Sequence, residues 1–158
     1  MHIGTNLKKL DITKEKNTKK ISEKFSHNLK AGDIVCLFGD LGVGKTTFIK
    51  YLINFIQKQK NQKISEVISP TFNILHEYQV KDLNILHYDL YRIKDIKELH
   101  NLGLFEEKKN SILLIEWPEL IFDTFENIIH LKFEYESNFE KRTLIVSSKN
   151  KKTFIDEL

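Results

Sequence analysis

The fold class of this chain is decided by the stretch Gly39-Asp40-Leu41-Gly42-Val43-Gly44-Lys45-Thr46. It matches the pattern G-x-x-x-x-G-K-[ST], in which glycines let successive backbone N–H groups curl around a phosphate. A helix that starts near Lys45 directs its unpaired N–H groups and the positive end of its dipole at the same anion. The stretch therefore predicts a phosphate-binding loop, with Lys45 reaching the β- and γ-phosphates and Thr46 binding Mg²⁺.

The segments on either side of this loop have the character that the loop requires. Ile34–Phe38 is a continuous apolar run, which is typical of a strand buried on both faces. The segment 46–59 after the loop is predicted to be an amphipathic helix. Its apolar residues at helical spacing are Phe48, Ile49, Leu52, Ile53 and Ile56. The order strand, glycine loop, helix is the context in which the pattern binds phosphate.

The rest of the chain predicts an α/β protein with a mixed, mostly parallel sheet. The remaining elements are a helix over 13–29 capped by Thr13, strands over 72–80 and 83–88, a helix over 93–104 and a strand over 112–115. Apolar and polar residues then alternate over 129–135, and together with 142–148 this segment predicts a C-terminal β-hairpin. The expected architecture is a three-layer sandwich of the P-loop NTPase type.

The composition indicates one domain over 1–158, with 1–10 and 149–158 at its periphery. The net charge of +3, from 25 basic and 22 acidic residues, is too small to indicate a nucleic-acid partner. The single cysteine excludes a disulfide framework and favours a reduced compartment. Residues 1–10 lack the apolar core of a signal peptide, and no apolar run approaches the roughly 20 residues of a membrane span. We therefore expect a cytoplasmic protein without a membrane segment.

Two acidic residues follow predicted strands and are candidates for the metal and hydrolysis chemistry of a P-loop enzyme. Glu116 follows the fully apolar run 112–115, and we favour it as the carboxylate of the Mg²⁺ shell. Asp89 follows the strand 83–88 and is the candidate for orienting or activating the attacking water. Thr71, in Ser69-Pro70-Thr71, either senses the γ-phosphate and Mg²⁺ as a switch or belongs to a simple turn.

The missing motifs favour ATP as the nucleotide. Guanine-specific proteins carry Asp-x-x-Gly and [Asn/Thr]-Lys-x-Asp, and neither pattern occurs in this sequence. The chain has only two arginines, Arg92 and Arg142, so it has no arginine-rich lid of the kind that small-metabolite kinases use. This absence weakens the hypothesis of a stand-alone P-loop kinase for a small metabolite, which is the alternative to an ATPase. A non-catalytic nucleotide-binding module is a third possibility.

Five segments taken together resemble the TsaE family (formerly YjeE), the ATPase of bacterial tRNA threonylcarbamoyladenosine synthesis. They are, in chain order, 39–48, Ser69-Pro70-Thr71-Phe72, His87-Tyr88-Asp89-Leu90-Tyr91-Arg92, Leu102-Gly103 and Ile115-Glu116-Trp117-Pro118. The resemblance covers about 10–148, with the motifs in family order. The phosphate loop alone is generic, whereas Asp-Leu-Tyr-Arg and Glu-Trp-Pro make the resemblance specific.

The resemblance implies a partner-dependent ATPase. Such proteins bind ATP and Mg²⁺, hydrolyse ATP poorly alone and join TsaD and TsaB, which install the threonylcarbamoyl group on adenosine 37 of tRNA. The tRNA would be met through that complex rather than by strong direct binding. The family roles fall on Lys45 for phosphates and catalysis, Thr46 and Glu116 for Mg²⁺, Asp89 for hydrolysis and Ser69–Thr71 for the switch.

The candidate nucleotide-binding set is broader than these positions. It comprises Asp40, Leu41, Gly42, Val43, Gly44, Lys45, Thr46, Thr47, Thr71, Lys141 and Arg142. The last two stand where the family has a late basic nucleotide contact, but the family-typical Gly-Arg is missing, so either residue could take that role. The N-terminal part of the pocket, near 13–15, also matches the family only loosely.

Overall fold

The structure, a computed structural model, describes residues 6–106 and 109–158. The strands are β1 (Asn6–Asp11), β2 (Ile34–Phe38), β3 (Leu75–Val80), β4 (Leu83–Asp89), β5 (Ser111–Glu116), β6 (Ile128–Glu136) and β7 (Lys141–Ser148). The helices are α1 (Glu15–Asn28), α2 (Lys45–Gln59), α3 (Ile96–Asn101) and α4 (Lys152–Asp156), with a 3₁₀ turn at Pro118–Leu120. Of the helices in the described ranges, none has the length and apolar character needed to cross a membrane.

The strands form one sheet in the order β1-β7-β6-β2-β5-β4-β3. The central block β6-β2-β5-β4 is parallel, whereas β3, β7 and β1 each join a neighbour in antiparallel orientation. The predicted mixed, mostly parallel sheet and the C-terminal hairpin of β6 and β7 are thus confirmed. Because the central strands are parallel, their carboxyl ends lie along one edge of the sheet, and the glycine loop follows β2 at that edge.

Helices cover both faces of the sheet because the central strands are apolar on both faces. Along β2, Val35 and Leu37 pack in the cluster that contains the buried residues of α1 and α2. Cys36 and Phe38 point to the opposite face, where Leu99 of α3 packs in a second cluster. The predicted three-layer sandwich is confirmed, and the face that carries α2 also carries the glycine loop.

The segment between β1 and α1 differs from the sequence prediction. α1 begins at Glu15, and the residue at its N-cap is Lys14, not Thr13. Thr13 instead contacts β7, where its Oγ1 accepts a hydrogen bond from the backbone N–H of Arg142 at 3.1 Å. The threonine is held at the sheet because the pairing of β1 with β7 continues to this point, and Ile12 also donates to the carbonyl of Arg142.

Two further elements are shorter than predicted. β3 begins at Leu75 rather than at 72, because the preceding residues form a turn in which Ile74 has φ 67°. α3 begins at Ile96 rather than at 93, because the side chain of Asp95 caps it by accepting a hydrogen bond from the N–H of Lys97. Both starts are set by turn and cap chemistry, to which apolar periodicity is insensitive.

The C-terminal segment is more deeply packed than the sequence suggested. The prediction that 149–158 is peripheral is wrong for its apolar residues, since Phe154 and Ile155 of α4 are buried in the main core. The ring of Phe154 meets that of Phe25 edge to face at 4.7 Å. Lys151 also forms an ion pair with Asp33 at 2.6 Å. The three lysines of this segment, Lys149, Lys151 and Lys152, suggested an exposed tail, whereas the apolar contact forms only when α4 packs against α1.

Candidate functional site

The glycine loop connects β2 to α2, and its first and last glycines show why this residue type is needed there. Gly39 has φ 141°, and a Cβ at this position would lie 2.6 Å from the carbonyl oxygen of Phe133 in β6. Gly44 has φ 117° and is the cap residue of α2. The loop therefore lies close against β6, and the first N–H groups of α2, which have no partner within the helix, remain free to bind an anion.

Lys45 is the first residue of α2, and its side chain folds back over the loop. Its Nζ donates to the carbonyl oxygens of Gly39 and Asp40, in the latter case at 2.9 Å. The same Nζ lies 4.4 Å from the centre of the Trp117 ring. Burial lowers the pKa of Lys45, and the nearby carboxylate of Glu116 opposes that shift. The ammonium group is thus held inside the site.

Thr46 and Glu116 meet although they are 70 residues apart. The Thr46 hydroxyl donates to the Glu116 Oε1 at 3.0 Å, and only 3% of Glu116 is exposed. The contact forms because β5, which ends at Glu116, is the parallel neighbour of β2. Hydroxyl and carboxylate oxygens are hard donors that suit Mg²⁺, which is usually held by one or two carboxylates together with substrate phosphates. These two residues therefore fit a Mg²⁺ ion. In the described ranges no group of three His, Cys, Asp or Glu residues could hold a metal by itself.

Asp89 lies beside Glu116 because β4 and β5 are paired in parallel with these two residues in register. Its Oδ2 accepts a hydrogen bond from the Thr71 hydroxyl at 2.9 Å and a longer one from the Ser69 hydroxyl at 3.4 Å. Its Oδ1 accepts from the backbone N–H of Tyr91 at 3.0 Å. The segment with Thr71 is therefore hydrogen-bonded to the carboxylate at the end of β4.

A cavity of about 150 Å³ joins these groups. It is lined by residues of the glycine loop and the start of α2, including Leu41, Gly42 and Thr47, and by Ser69, Thr71, Asp89, Glu116 and Trp117. Two loop residues of the predicted nucleotide-binding set, Asp40 and Val43, do not line this cavity. The side chain of Val43 is fully buried in the core, so only its backbone can face a ligand, and Asp40 is exposed outside the cavity.

The two basic candidates on β7 point in opposite directions. Arg142 stands opposite Tyr135 on the face that carries α2, and its Nη1 lies 3.8 Å from where a Cβ on Gly44 would be. Its Nη2 donates to the carbonyl of Thr13 at 3.0 Å. Lys141 is the preceding residue of the strand and therefore faces the other side of the sheet, where it is exposed. Only Arg142 approaches the glycine loop.

Sequence reasoning gave no separate role to His87, which the structure places in the site. This fully buried residue of β4 lies with its Nε2 2.9 Å from the Glu116 Oε1. The available signal was a histidine that follows the apolar pair Ile85-Leu86 within a predicted strand. Trp117 follows Glu116 with φ 56°, and the centre of its ring lies 4.9 Å from the centre of the Tyr91 ring.

The glycine loop lies between β2 and α2, and acidic residues end the parallel strands β4 and β5. This arrangement defines an α/β protein of the P-loop NTPase type. The family model described as "Threonylcarbamoyl adenosine biosynthesis protein TsaE" matches residues 12–144. The chain thus belongs to the TsaE family, which places it in the biosynthesis of tRNA threonylcarbamoyladenosine.

Individual relatives agree with this assignment. The chain is 46% identical over 111 residues to the tRNA threonylcarbamoyladenosine biosynthesis protein TsaE of Rickettsia typhi, which covers 70% of this chain and 74% of that protein. It is 36% identical over 151 residues to the protein of the same name from Rickettsia felis, covering 94% and 85%. The crystal structure of Bacillus subtilis YdiB superposes with a TM-score of 0.71 over 99% of this chain and 95% of that one. At 23% identity, this last likeness supports the fold alone.

Proposed function

We propose that this chain is the ATP-binding and ATP-hydrolysing subunit that supports TsaD and TsaB in forming N6-threonylcarbamoyladenosine at position 37 of tRNA. The observation that carries the proposal is the convergence of Lys45, Thr46, Asp89 and Glu116 on one cavity. These are the residue types that phosphoryl transfer to water requires, and two of them come from distant parts of the chain.

Each of these residues has a distinct task in the proposed reaction. The loop N–H groups and the Lys45 ammonium bind the phosphates, while Thr46 and Glu116 hold Mg²⁺. Bound Mg²⁺ would offset the negative charge of the phosphate oxygens. Asp89 orients the attacking water and accepts its proton, and Thr71 reports the state of the site because its hydroxyl already contacts Asp89.

Exposed apolar side chains beside the cavity favour a protein partner. Leu41 is 66% exposed, Phe72 is 84% exposed and Tyr91 is 51% exposed, and each lies in or next to the cavity wall. Exposed apolar groups clustered at a functional site are typical of an interaction surface. The small net charge of +3 agrees with tRNA contact through the complex rather than by strong direct binding. We propose the cytoplasm as the compartment in which the complex works.

The function is tested by measuring ATP hydrolysis by the isolated chain and by the chain mixed with TsaD and TsaB. We expect little activity alone and a marked rise in the mixture, because the partners would complete a site that has no arginine lid of its own. A Lys45→Ala chain in the same mixture shows whether the added activity belongs to this subunit. Robust phosphoryl transfer to a small metabolite by the isolated chain would contradict the proposal and favour the stand-alone kinase.

We further propose that Arg142, rather than Lys141, is the late basic nucleotide contact. Removing its guanidinium beside Gly44 should weaken ATP binding by roughly 10- to 100-fold, since a charge-assisted hydrogen bond contributes about 1.5–3 kcal/mol. Calorimetric titration of Arg142→Ala and Lys141→Ala with an ATP analogue checks this. A greater loss of affinity in Lys141→Ala would contradict the assignment.

A further inference from the structure

His87 is a polar residue that lies beside apolar side chains of β4 and β5. On the face of β4 and β5 that packs toward α2, the neighbouring inward residues are Ile85, Ile112 and Leu114. His87 is fully buried among them, and within the described part of the chain its side chain has one hydrogen-bond contact, to the Glu116 Oε1 at 2.9 Å. A buried polar group costs stability unless a hydrogen bond compensates, so the contact with Glu116 is what makes a histidine tolerable there.

The hydrogen-bonding chemistry of the pair fixes which group donates. A carboxylate can only accept, so the Nε2 of His87 carries the proton and donates to Glu116. The other ring nitrogen, Nδ1, is buried and has no hydrogen-bond partner among the described residues. His87 is therefore built to present one N–H to one carboxylate oxygen.

Two donors from different elements hold the Glu116 carboxylate. His87 approaches from β4, within the sheet, and Thr46 approaches from α2 at 3.0 Å. The shorter contacts of both donors are to Oε1, and the Thr46 hydroxyl lies 3.4 Å from Oε2. A glutamate at a strand end has several rotatable bonds, and a donor on the adjacent strand removes much of that freedom.

We propose that His87 is a positioning residue that holds the Glu116 carboxylate in the orientation in which Glu116 and Thr46 bind Mg²⁺. The inference rests on the proposed function, because it takes these two residues as the metal ligands. Hydrogen bonds from a neighbouring residue to a metal ligand orient that ligand, and their loss typically lowers metal affinity by roughly 10- to 100-fold.

The test compares two full-length variants that differ in hydrogen bonding. His87→Gln keeps an N–H donor at about the reach of Nε2, whereas His87→Leu fills similar space without a donor. His76→Leu is the matched control, because His76 pairs in register with His87 from β3 and contacts Asn73 rather than Glu116. Mn²⁺ affinity in the presence of a non-hydrolysable ATP analogue is measured by electron paramagnetic resonance, and analogue affinity in EDTA is measured by calorimetry.

We expect His87→Leu to lose about tenfold or more in Mn²⁺ affinity while its analogue affinity in EDTA stays unchanged. His87→Gln should retain most of the metal affinity, and His76→Leu should match the wild type. The role is overturned if His87→Leu binds Mn²⁺ like the wild type, or if a folded His87→Gln loses as much affinity as His87→Leu. If thermal unfolding shows that His87→Leu does not fold, His87→Asn replaces it, because the asparagine amide is too short to reach Oε1. Mn²⁺ affinity equal to that of the wild type in His87→Asn would also overturn the role.

The wild-type measurement separates this inference from the proposed function. A wild-type chain that binds the analogue in EDTA but takes up no Mn²⁺ with it would contradict the metal assignment on which the proposed function depends. A wild-type chain that binds both, with a His87→Leu variant that also binds both, contradicts only the role of His87.

Discussion

Replacing Asp89 with alanine should leave ATP binding intact and abolish most of the hydrolysis seen with TsaD and TsaB. The carboxylate lies at the end of β4 beside Glu116, and its two oxygens accept hydrogen bonds from the Thr71 hydroxyl and from the backbone N–H of Tyr91. Removing a group that accepts a proton in the transition state typically lowers the rate on the order of 10²- to 10⁴-fold. Single-turnover hydrolysis and calorimetric ATP binding are the two measurements.

Asp89 also holds backbone in place, so the experiment needs a variant that preserves its shape. Asp89→Asn keeps an oxygen that can accept from the Thr71 hydroxyl but is a far weaker base. Asp82→Ala removes an exposed carboxylate in the turn at the opposite end of β4 and serves as the charge control. If Asp89→Asn also loses ATP binding, Asp89 is a structural residue, and unchanged turnover in that variant would refute its role in hydrolysis.

Removing either Thr46 or Glu116 should abolish most Mg²⁺-dependent turnover. Each residue contributes an oxygen to the proposed Mg²⁺ site, where the Thr46 hydroxyl lies 3.0 Å from the Glu116 Oε1. A catalytic metal stabilises transition-state charge by several kcal/mol, so we expect each alanine variant to lose roughly 100-fold or more in turnover at a fixed Mg²⁺ concentration. Turnover measured across a Mg²⁺ titration checks whether added metal restores part of the rate.

Conservative and combined variants distinguish metal binding from damage to the fold. Thr46→Ser keeps the hydroxyl and should keep most of the activity, and Glu126→Ala removes an exposed carboxylate elsewhere as a control. Because the two residues would serve one ion, the double alanine variant should be little worse than the more impaired single variant. Fully additive losses, or unchanged turnover in either single variant, would refute the shared metal site.

The phosphate loop was predictable because its requirements are local. Glycines at positions 39 and 44, the lysine and threonine that follow and the flanking apolar runs all act through neighbours in sequence. β2 and α2 accordingly lie where the pattern predicted them, with α2 starting one residue earlier than expected. The carboxylates were predictable for a related reason, since a residue that directly follows a buried parallel strand must emerge at one edge of the sheet.

Periodicity failed where a long-range contact outweighs local preference. Thr13 looked like a helix cap, but the pairing of β1 with β7 keeps it at the sheet beside Arg142. Phe154 looked peripheral in a lysine-rich tail, but it reaches Phe25 of α1 across the core. In each case the contacting residue, Arg142 or Phe25, lies more than 100 residues away in sequence, outside the few residues on which a local prediction depends.

The sequence by itself determined the sheet class, the phosphate loop, the TsaE resemblance and the acidic residues Asp89 and Glu116. Only the tertiary structure decided which groups touch: Thr71 with Asp89, His87 with Glu116, and Arg142 rather than Lys141 beside the loop. The physical reason is that a motif fixes the backbone over a few residues. The meeting of side chains depends instead on strand order and register, which bring β4, β5 and β7 toward a loop that follows β2.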